Sequence, residues 1–367
     1  MTEFAVGVVG AASRGRSFFK PFMCNPHTRV EALCDINEEG CKKSAETIGV
    51  SKVYTDYEEM LDKSGVNMVV IGTPMPLHVP QSLMALERNI HVLSEVPAAV
   101  SIEEAKELVL AVNKSKAKYM MAENYCYIRS NVLVRELAKA GLFGEMYFAE
   151  GEYLHELKEL NEITKWRRKW QTGINGNVYP THSLGPILQW LGDDRVVSVC
   201  CAGSGHHYKD PRGDYYENED STSMMCRTAK GGLINLRLDM LSNRPHNMTY
   251  YSLQGTDGCY ESARGFGDQP KIWLKSKSEK IEWNALKDLE EEYLPDWWLH
   301  PPKEALEAGH GGGDYWQVQD FVQAILDDKE PPIGIHEAMD MTLPGLVSQQ
   351  SIMQNSAWLP VPDSREW

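Results

Sequence analysis

No stretch of this 367-residue chain approaches the ~20 consecutive apolar residues that cross a bilayer. No basic-then-apolar leader opens it either, because Phe4 to Val9 already has the pattern of a strand. Together these absences predict a cytoplasmic protein. Positive charge is scarce: 37 Lys and Arg stand against 52 Asp and Glu, a net charge of −15, which excludes nucleic acid and anionic membrane surfaces as partners. There is no C-x-x-C among the eight cysteines and no H-E-x-x-H among the eleven histidines. His206 and His207 are merely adjacent in a loop rich in Gly, Asp and Tyr. Reduced thiols and no metal centre are expected. Internal repeats and low-complexity segments are also missing, so the length calls for about two ordinary domains.

What is there begins with the apolar run Phe4-Ala-Val-Gly-Val-Val, which breaks into Gly10-Ala-Ala-Ser-Arg-Gly15 before a helical stretch starts near Arg16. This Gly-x-Ala-x-x-Gly is one substitution from the dinucleotide fingerprint. Gly10 suits the tight turn, Ala12 still lets backbone approach a pyrophosphate, and Gly15 permits close helix packing. A second strand, Arg29 to Asp35, ends in an acid about 20 residues past the glycines, where a carboxylate binds a ribose 2′-OH and repels a 2′-phosphate. NAD is therefore expected over NADP. Helices over about 38–48, 79–88 and 101–115 alternate with the strand-like runs Met68 to Pro74, His91 to Pro97 and Tyr119 to Ala122. That alternation predicts a doubly wound parallel Rossmann sheet over residues 1–122. Ligands on such sheets bind beyond the carboxyl ends of the strands, which brings in Thr73, Pro74, His78, Glu95, Glu123 and Asn124. The plainer reading of His78 is a helix-start residue with no chemical task.

From Gly144 the pattern changes to strand-like stretches rich in aromatics, interrupted by a helix after Pro180 and one near 315–327, within a second domain over residues 123–367. A C-terminal α+β domain with a largely antiparallel open sheet is expected. Within it, Asn175-Gly-Asn-Val-Tyr-Pro-Thr-His-Ser-Leu-Gly-Pro186 places Tyr179 and His182 three apart at a helix start, with Pro180 suited to the first helical position. Residues three apart share a helix face, so two proton carriers are held together. The bland alternative is a buried Tyr and a buried His that have simply found hydrogen-bond partners. His310-Gly-Gly-Gly-Asp314 joins a His to an Asp through a glycine turn, as part of a site or as an N-capping Asp on a loop. Trp283, Trp297 and Trp298 either line a carbohydrate pocket or fill a loop-covered core.

Taken together, Gly10 to Gly15, Asp35, Gly72-Thr-Pro74 with His78, and Glu95-x-Pro97 resemble the Gfo/Idh/MocA family of sugar-acting NAD(P)-dependent oxidoreductases. The resemblance extends the cofactor set to Ser13, Arg14 and Val96. It also implies a homo-oligomer formed through the C-terminal sheet. The family's usual Glu-Lys-Pro has a lysine that assists proton removal from the alcohol; here that position is Val96. Glu95-Val-Pro, Glu123-Asn-Tyr-Cys-Tyr127, Tyr153-x-His155, Trp166-Arg167, the dodecamer around Tyr179 and His310-Gly-Gly look like the NAD-dependent α-N-acetylgalactosaminidase branch of that family.

That resemblance implies hydrolysis of a glycoside with tightly held NAD: C3 is oxidised, the acidified C2 proton leaves, the aglycone departs from C1, water adds, and C3 is reduced again. It carries over Tyr179 as the proton-abstracting residue and His182 as the contact to the reacting hydroxyls. Glu123, Tyr153, Arg167 and His310 carry over as carbohydrate contacts, with Glu123 near the nicotinamide. His246, in Asn243-Arg-Pro-His246, stands where the branch has a tyrosine, which leaves the sugar open. Two other functions compete: a net sugar 3-oxidoreductase, and an NAD- or sugar-sensing protein without turnover.

Overall fold

A computed structural model describes residues 4–245 and 248–367, so His246 lies outside the described residues. The chain forms two compact units. The first comprises residues 4–127 with Pro302–Met339 and Ser364–Trp367; the second comprises Ile128–Pro301 and Asp340–Asp363.

The first unit is built on six parallel strands: β1 (Phe4–Val9), β2 (Thr28–Cys34), β3 (Lys52–Tyr54), β4 (Met68–Ile71), β5 (His91–Ser94) and β6 (Tyr119–Met121), in the order β3-β2-β1-β4-β5-β6. Every residue of β1 and β4 is buried, as expected for strands covered on both faces, and this is why both are unbroken apolar runs. The strand order is that of a dinucleotide-binding sheet, with the switch point between β1 and β4. The helices Glu38–Ile48, His78–Glu87 and Ile102–Lys114 fall within a residue or so of their expected bounds. Asn37 and Ser101 cap the first and last of these by accepting from Gly40 and Glu104 backbone N–H.

The sequence division at 122/123 gives Pro302–Met339 to the second domain, whereas in the structure these residues pack with the first. The Met121 N–H, at the end of β6, donates to the Ile333 carbonyl at 3.0 Å, and Asp314 pairs with Arg14. Partners 212 (333 − 121) and 300 residues apart leave no trace in local pattern.

The second unit holds β7 (Met146–Leu154), β8 (Val196–Gly203), β9 (Ser221–Thr228), β10 (Leu233–Asp239), β11 (Met248–Gly255), β12 (Gly258–Glu261), β13 (Lys271–Leu274), β14 (Asn284–Ala285) and β15 (Leu359–Pro360). Among the described residues they form one sheet, β14-β13-β12-β11-β7-β10-β9-β8-β15, antiparallel except for β7 beside β10. Burial alternates along β9, with Thr222, Met224, Cys226 and Thr228 inside, the period-two mark of a sheet covered on one face. Helix Thr181–Leu191 packs on β7 at Gly151, where an added Cβ would lie 2.3 Å from the Ser183 carbonyl oxygen. Helix Ile335–Met353 was not expected from the sequence. It contains Pro344, and most of its residues are buried around the whole circumference, so no amphipathic stripe marks it.

Candidate active site

At the end of β1 the chain turns sharply at Gly10, whose φ of +82° suits glycine. The Gly15 N–H closes the turn on the Gly10 carbonyl at 3.0 Å. Gly10, Gly15 and Gly72 are mutually packed: a Cβ on Gly10 would sit 2.4 Å from the Gly72 carbonyl oxygen, and one on Gly15 would sit 2.8 Å from that of Gly10. A helical turn begins at Arg14, two residues before the expected start, as a 3₁₀ segment through Phe18. Asp35, at the end of β2, accepts from the Ala12 N–H and from the Asn37 N–H, both at 2.8 Å. It thus presents a carboxylate beside the loop. Asn124, just beyond β6, donates through Nδ2 to Asp314 at 3.0 Å, while its buried Oδ1 has no hydrogen-bond partner among the described residues. A buried acceptor of this kind is one that a bound amide or hydroxyl satisfies. Tight glycine turn, strand-end acid and open acceptor fit NAD.

Other expected cofactor residues stand at the strand ends in distinct roles. The Thr73 hydroxyl donates to Gln81 Oε1 at 2.6 Å, and Pro74 leads into the turn Met75–Leu77. His78 is fully committed: its Nδ1 lies 2.9 Å from the Pro97 carbonyl and its Nε2 2.9 Å from the Thr73 carbonyl. Burial pushes its imidazole below the ordinary value, although the two carbonyls act the other way. His78 is therefore a staple between the turns after β4 and β5. Val96 is buried at 3% exposure, with no proton to offer where the wider family has lysine. Glu123 is completely buried and accepts from the Tyr125 N–H at 3.1 Å. Ser13 caps nothing through its side chain and donates its N–H to Gly10. Arg14 reaches Glu95 and Asp314.

In the second unit, Pro180 is the N-cap of helix Thr181–Leu191, one position earlier than expected, which leaves Tyr179 just outside and His182 in the first turn. The Tyr179 and His182 rings are 5.2 Å apart and nearly perpendicular. Tyr153, near the end of β7, completes the cluster at 4.9 Å from His182 and 5.9 Å from Tyr179. Its hydroxyl lies 2.9 Å from His155 Nδ1. The His182 carbonyl accepts from the Tyr251 hydroxyl at 2.5 Å, fixing the helix start to β11. Tyr153 is thus held by a strand and His182 by a helix, with Tyr179 on the segment that leads into that helix. Arg167 sits on the short helix Trp166–Trp170 and donates to Thr164 Oγ1 at 3.0 Å and Gln171 Oε1 at 2.7 Å.

Of the two expectations for Asp314, part of a site or an N-cap on a loop, the capping role fails. Asp314 lies inside the first turn of helix Gly313–Leu326, fully buried, with Arg14, His310 and Asn124 around it. Gly151 was missed altogether, because a glycine in a strand signals close approach without saying to what.

Residues 127–366 match the family model described as glycosyl hydrolase 109, C-terminal domain, and residues 4–123 match that of the Gfo/Idh/MocA oxidoreductase family, NAD-binding Rossmann fold. The chain belongs to glycosyl hydrolase family 109. A family 109 protein of Saccharopolyspora erythraea is 30% identical over 98% of this chain and 82% of its own length. An alpha-N-acetylgalactosaminidase of Shewanella oneidensis is 28% identical over 99% of this chain and 85% of its own. Among solved structures, a Kribbella flavida oxidoreductase domain protein superposes with a TM-score of 0.83 at 21% identity, covering 99% and 100% of the two chains. A levoglucosan dehydrogenase in complex with NADH and levoglucosan gives 0.82 at 21% identity, covering 98% and 99%. At that identity the structural likeness speaks for the fold. Membership of family 109 makes the chain an NAD-dependent carbohydrate-active enzyme of the glycosidase type, as its sequence motifs imply.

Proposed function

We propose that this family 109 enzyme hydrolyses an α-linked N-acetylhexosaminide through transient oxidation at C3, with Tyr179 and His182 moving the protons. The observation that carries the assignment is the cluster of Tyr153, Tyr179 and His182 rings within 5.9 Å of one another. Bound NAD supplies the acceptor for a hydride from C3 and its later return. Gly10, Ala12 and Gly15 would hold its pyrophosphate, Asp35 its ribose and Asn124 its amide.

His182 orients the C3 hydroxyl and receives its proton. Once C3 is a ketone the C2 proton is acidic, and Tyr179 removes it as the C1–O bond to the aglycone breaks. Water then adds at C1, its hydroxyl bonding to C1 and its remaining proton going to the aglycone oxygen, while the C2 proton returns from Tyr179 and the C3 hydroxyl regains its proton from His182. The balance is one water consumed and one glycosidic bond cleaved. Arg167 serves as a polar contact to the sugar. The name of the Shewanella oneidensis relative supports N-acetylgalactosamine as the sugar. Eight free thiols suit a reducing cytoplasm, and the exposed Met225, on the face of the second sheet opposite the buried residues of β9, suits association of copies through that face.

The test is incubation with p-nitrophenyl glycosides and NAD⁺ in D₂O. Hydrolysis predicts nitrophenol release, no net rise at 340 nm, and deuterium at C2 of the released sugar. Accumulating NADH with an intact aglycone supports net 3-oxidation instead and overturns the proposal. Tyr179→Phe should abolish turnover by ~10²-fold or more while NADH still binds.

A further inference from the structure

Arg14 sits in the loop where a dinucleotide fingerprint places phosphate-binding backbone, and an arginine there suggests a phosphate ligand. Its guanidinium is engaged elsewhere. Nε donates to Glu95 Oε1 at 2.7 Å, while the other two nitrogens grip Asp314 in a bidentate pair at 2.8 and 2.7 Å. Burial works against the guanidinium's charge, but Glu95 and Asp314 outweigh it and hold Arg14 firmly protonated. Asp314 is saturated in turn, accepting also from Asn124 Nδ2 at 3.0 Å and meeting His310 Nδ1 at 3.0 Å. Burial works against its charge too, and Arg14 with His310 holds its carboxyl well below the ordinary range. One cation set between two carboxylates is a poor partner for a pyrophosphate.

A buried ion pair is weak as a stabilising device, since removing two charges from water offsets most of their attraction. What this pair does is mechanical. It joins the loop after β1 to the end of β5 and to the glycine turn before helix Gly313–Leu326, all within the first unit. That turn is held in an unusual shape: His310, Gly311 and Gly312 have φ of 54°, 60° and 92°. A non-glycine residue stays in this region only when its surroundings over-determine it. The space is closed as well, because a Cβ on Gly309 would meet Asp314 Oδ2 at 2.5 Å and one on Gly313 would meet the Asn124 carbonyl oxygen at 2.2 Å.

We infer that Asp314 is a positioning residue that latches the cofactor loop: by gripping Arg14 it fixes the Gly10–Gly15 turn, by gripping His310 it fixes the glycine turn, and NAD leaves only when this latch opens. The inference rests on the assignment of NAD to the Gly10–Gly15 loop. A closed latch slows entry and exit alike, so opening it speeds release with little change in affinity. Asp314 touches neither cofactor nor sugar in this role.

The experiment compares wild type, Asp314→Asn, Arg14→Gln and the double variant. NAD retained after extensive dialysis is measured by heat extraction and enzymatic cycling, its release is followed over time, and ADP-ribose affinity and melting temperature in saturating NAD are recorded. A latch predicts release about tenfold faster or more in each single variant. It also predicts a double variant no faster than either, and ADP-ribose affinity within about threefold of wild type in Arg14→Gln. Unchanged release in Asp314→Asn overturns the inference. Slower release in Asp314→Asn with a collapse of ADP-ribose binding in Arg14→Gln also overturns it, since Arg14 is then a phosphate ligand freed by losing its partner. Should Asp314→Asn fail to fold, Arg14→Gln carries the test, because its side chain is 26% exposed. A wild type that binds no NAD refutes the cofactor assignment itself, separately from the latch.

Discussion

Gly151→Ala is a one-carbon change that should disable the enzyme without touching a proton carrier. Gly151 lies on the buried face of β7, two residues before Tyr153 and on the same side of the strand. Its absent side chain lets helix Thr181–Leu191 approach until the Ser183 carbonyl oxygen would be 2.3 Å from a Cβ, with Leu236 Cδ2 at 2.9 Å. Ordinary contact begins near 3.4 Å, so strand and helix must part by about 1.1 Å. Little room exists behind the helix, where a Cβ on Gly345 would already be 2.6 Å from Pro180 Cδ. Overpacking of this sort costs ~1–3 kcal/mol. The larger effect is on chemistry: Tyr153 is on the strand and His182 on the helix, 4.9 Å apart, and displacement by about 1 Å costs ~10²-fold in rate. The assay is kcat/KM on p-nitrophenyl α-N-acetylgalactosaminide, with melting temperature and NADH titration alongside. Loss of ~10²-fold in kcat/KM with intact NADH binding is expected. A variant within about threefold of wild type refutes the reasoning, because 1.4 kcal/mol of barrier already corresponds to about tenfold.

Two further perturbations address the cofactor unit. His78→Gln should flatten the acid limb of the stability profile. The wild-type imidazole has a folded value below its unfolded 6.5, so as pH falls through that point the unfolded chain takes up a proton that the folded protein refuses. Wild-type stability then drops by up to about 1.4 kcal/mol per pH unit, which the glutamine variant lacks, and urea denaturation at pH 7.5 and 5.5 reads the difference; equal losses in both proteins count against the staple role. Asp35→Asn keeps an acceptor for the Ala12 or Asn37 N–H but removes the charge. NADH should bind more weakly by ~1–3 kcal/mol and NADPH should gain relative to it, as measured by fluorescence titration; an unchanged NADH/NADPH ratio contradicts the ribose assignment.

The nucleotide half of this enzyme was legible in the sequence because its signals are local. An apolar run buried on both faces, a glycine turn and an acid about 20 residues later each report a nearest-neighbour constraint, and β1, Gly10 and Asp35 came out where the pattern put them. The proximity of Tyr179 and His182 was legible too, since three residues keep the rings close, although Tyr179 lies ahead of the helix and not on its face. Three features were decided only in three dimensions. Arg14 left the phosphate loop's chemistry for two acids 81 and 300 residues away. Pro302–Met339 joined the first unit through partners such as Arg14 and Met121. Gly151 became a spacer because the helix that packs on β7 comes from elsewhere in the chain. Local pattern fixes which backbone shape a segment prefers, but burial and ion pairing between distant segments depend on packing that no window of sequence contains.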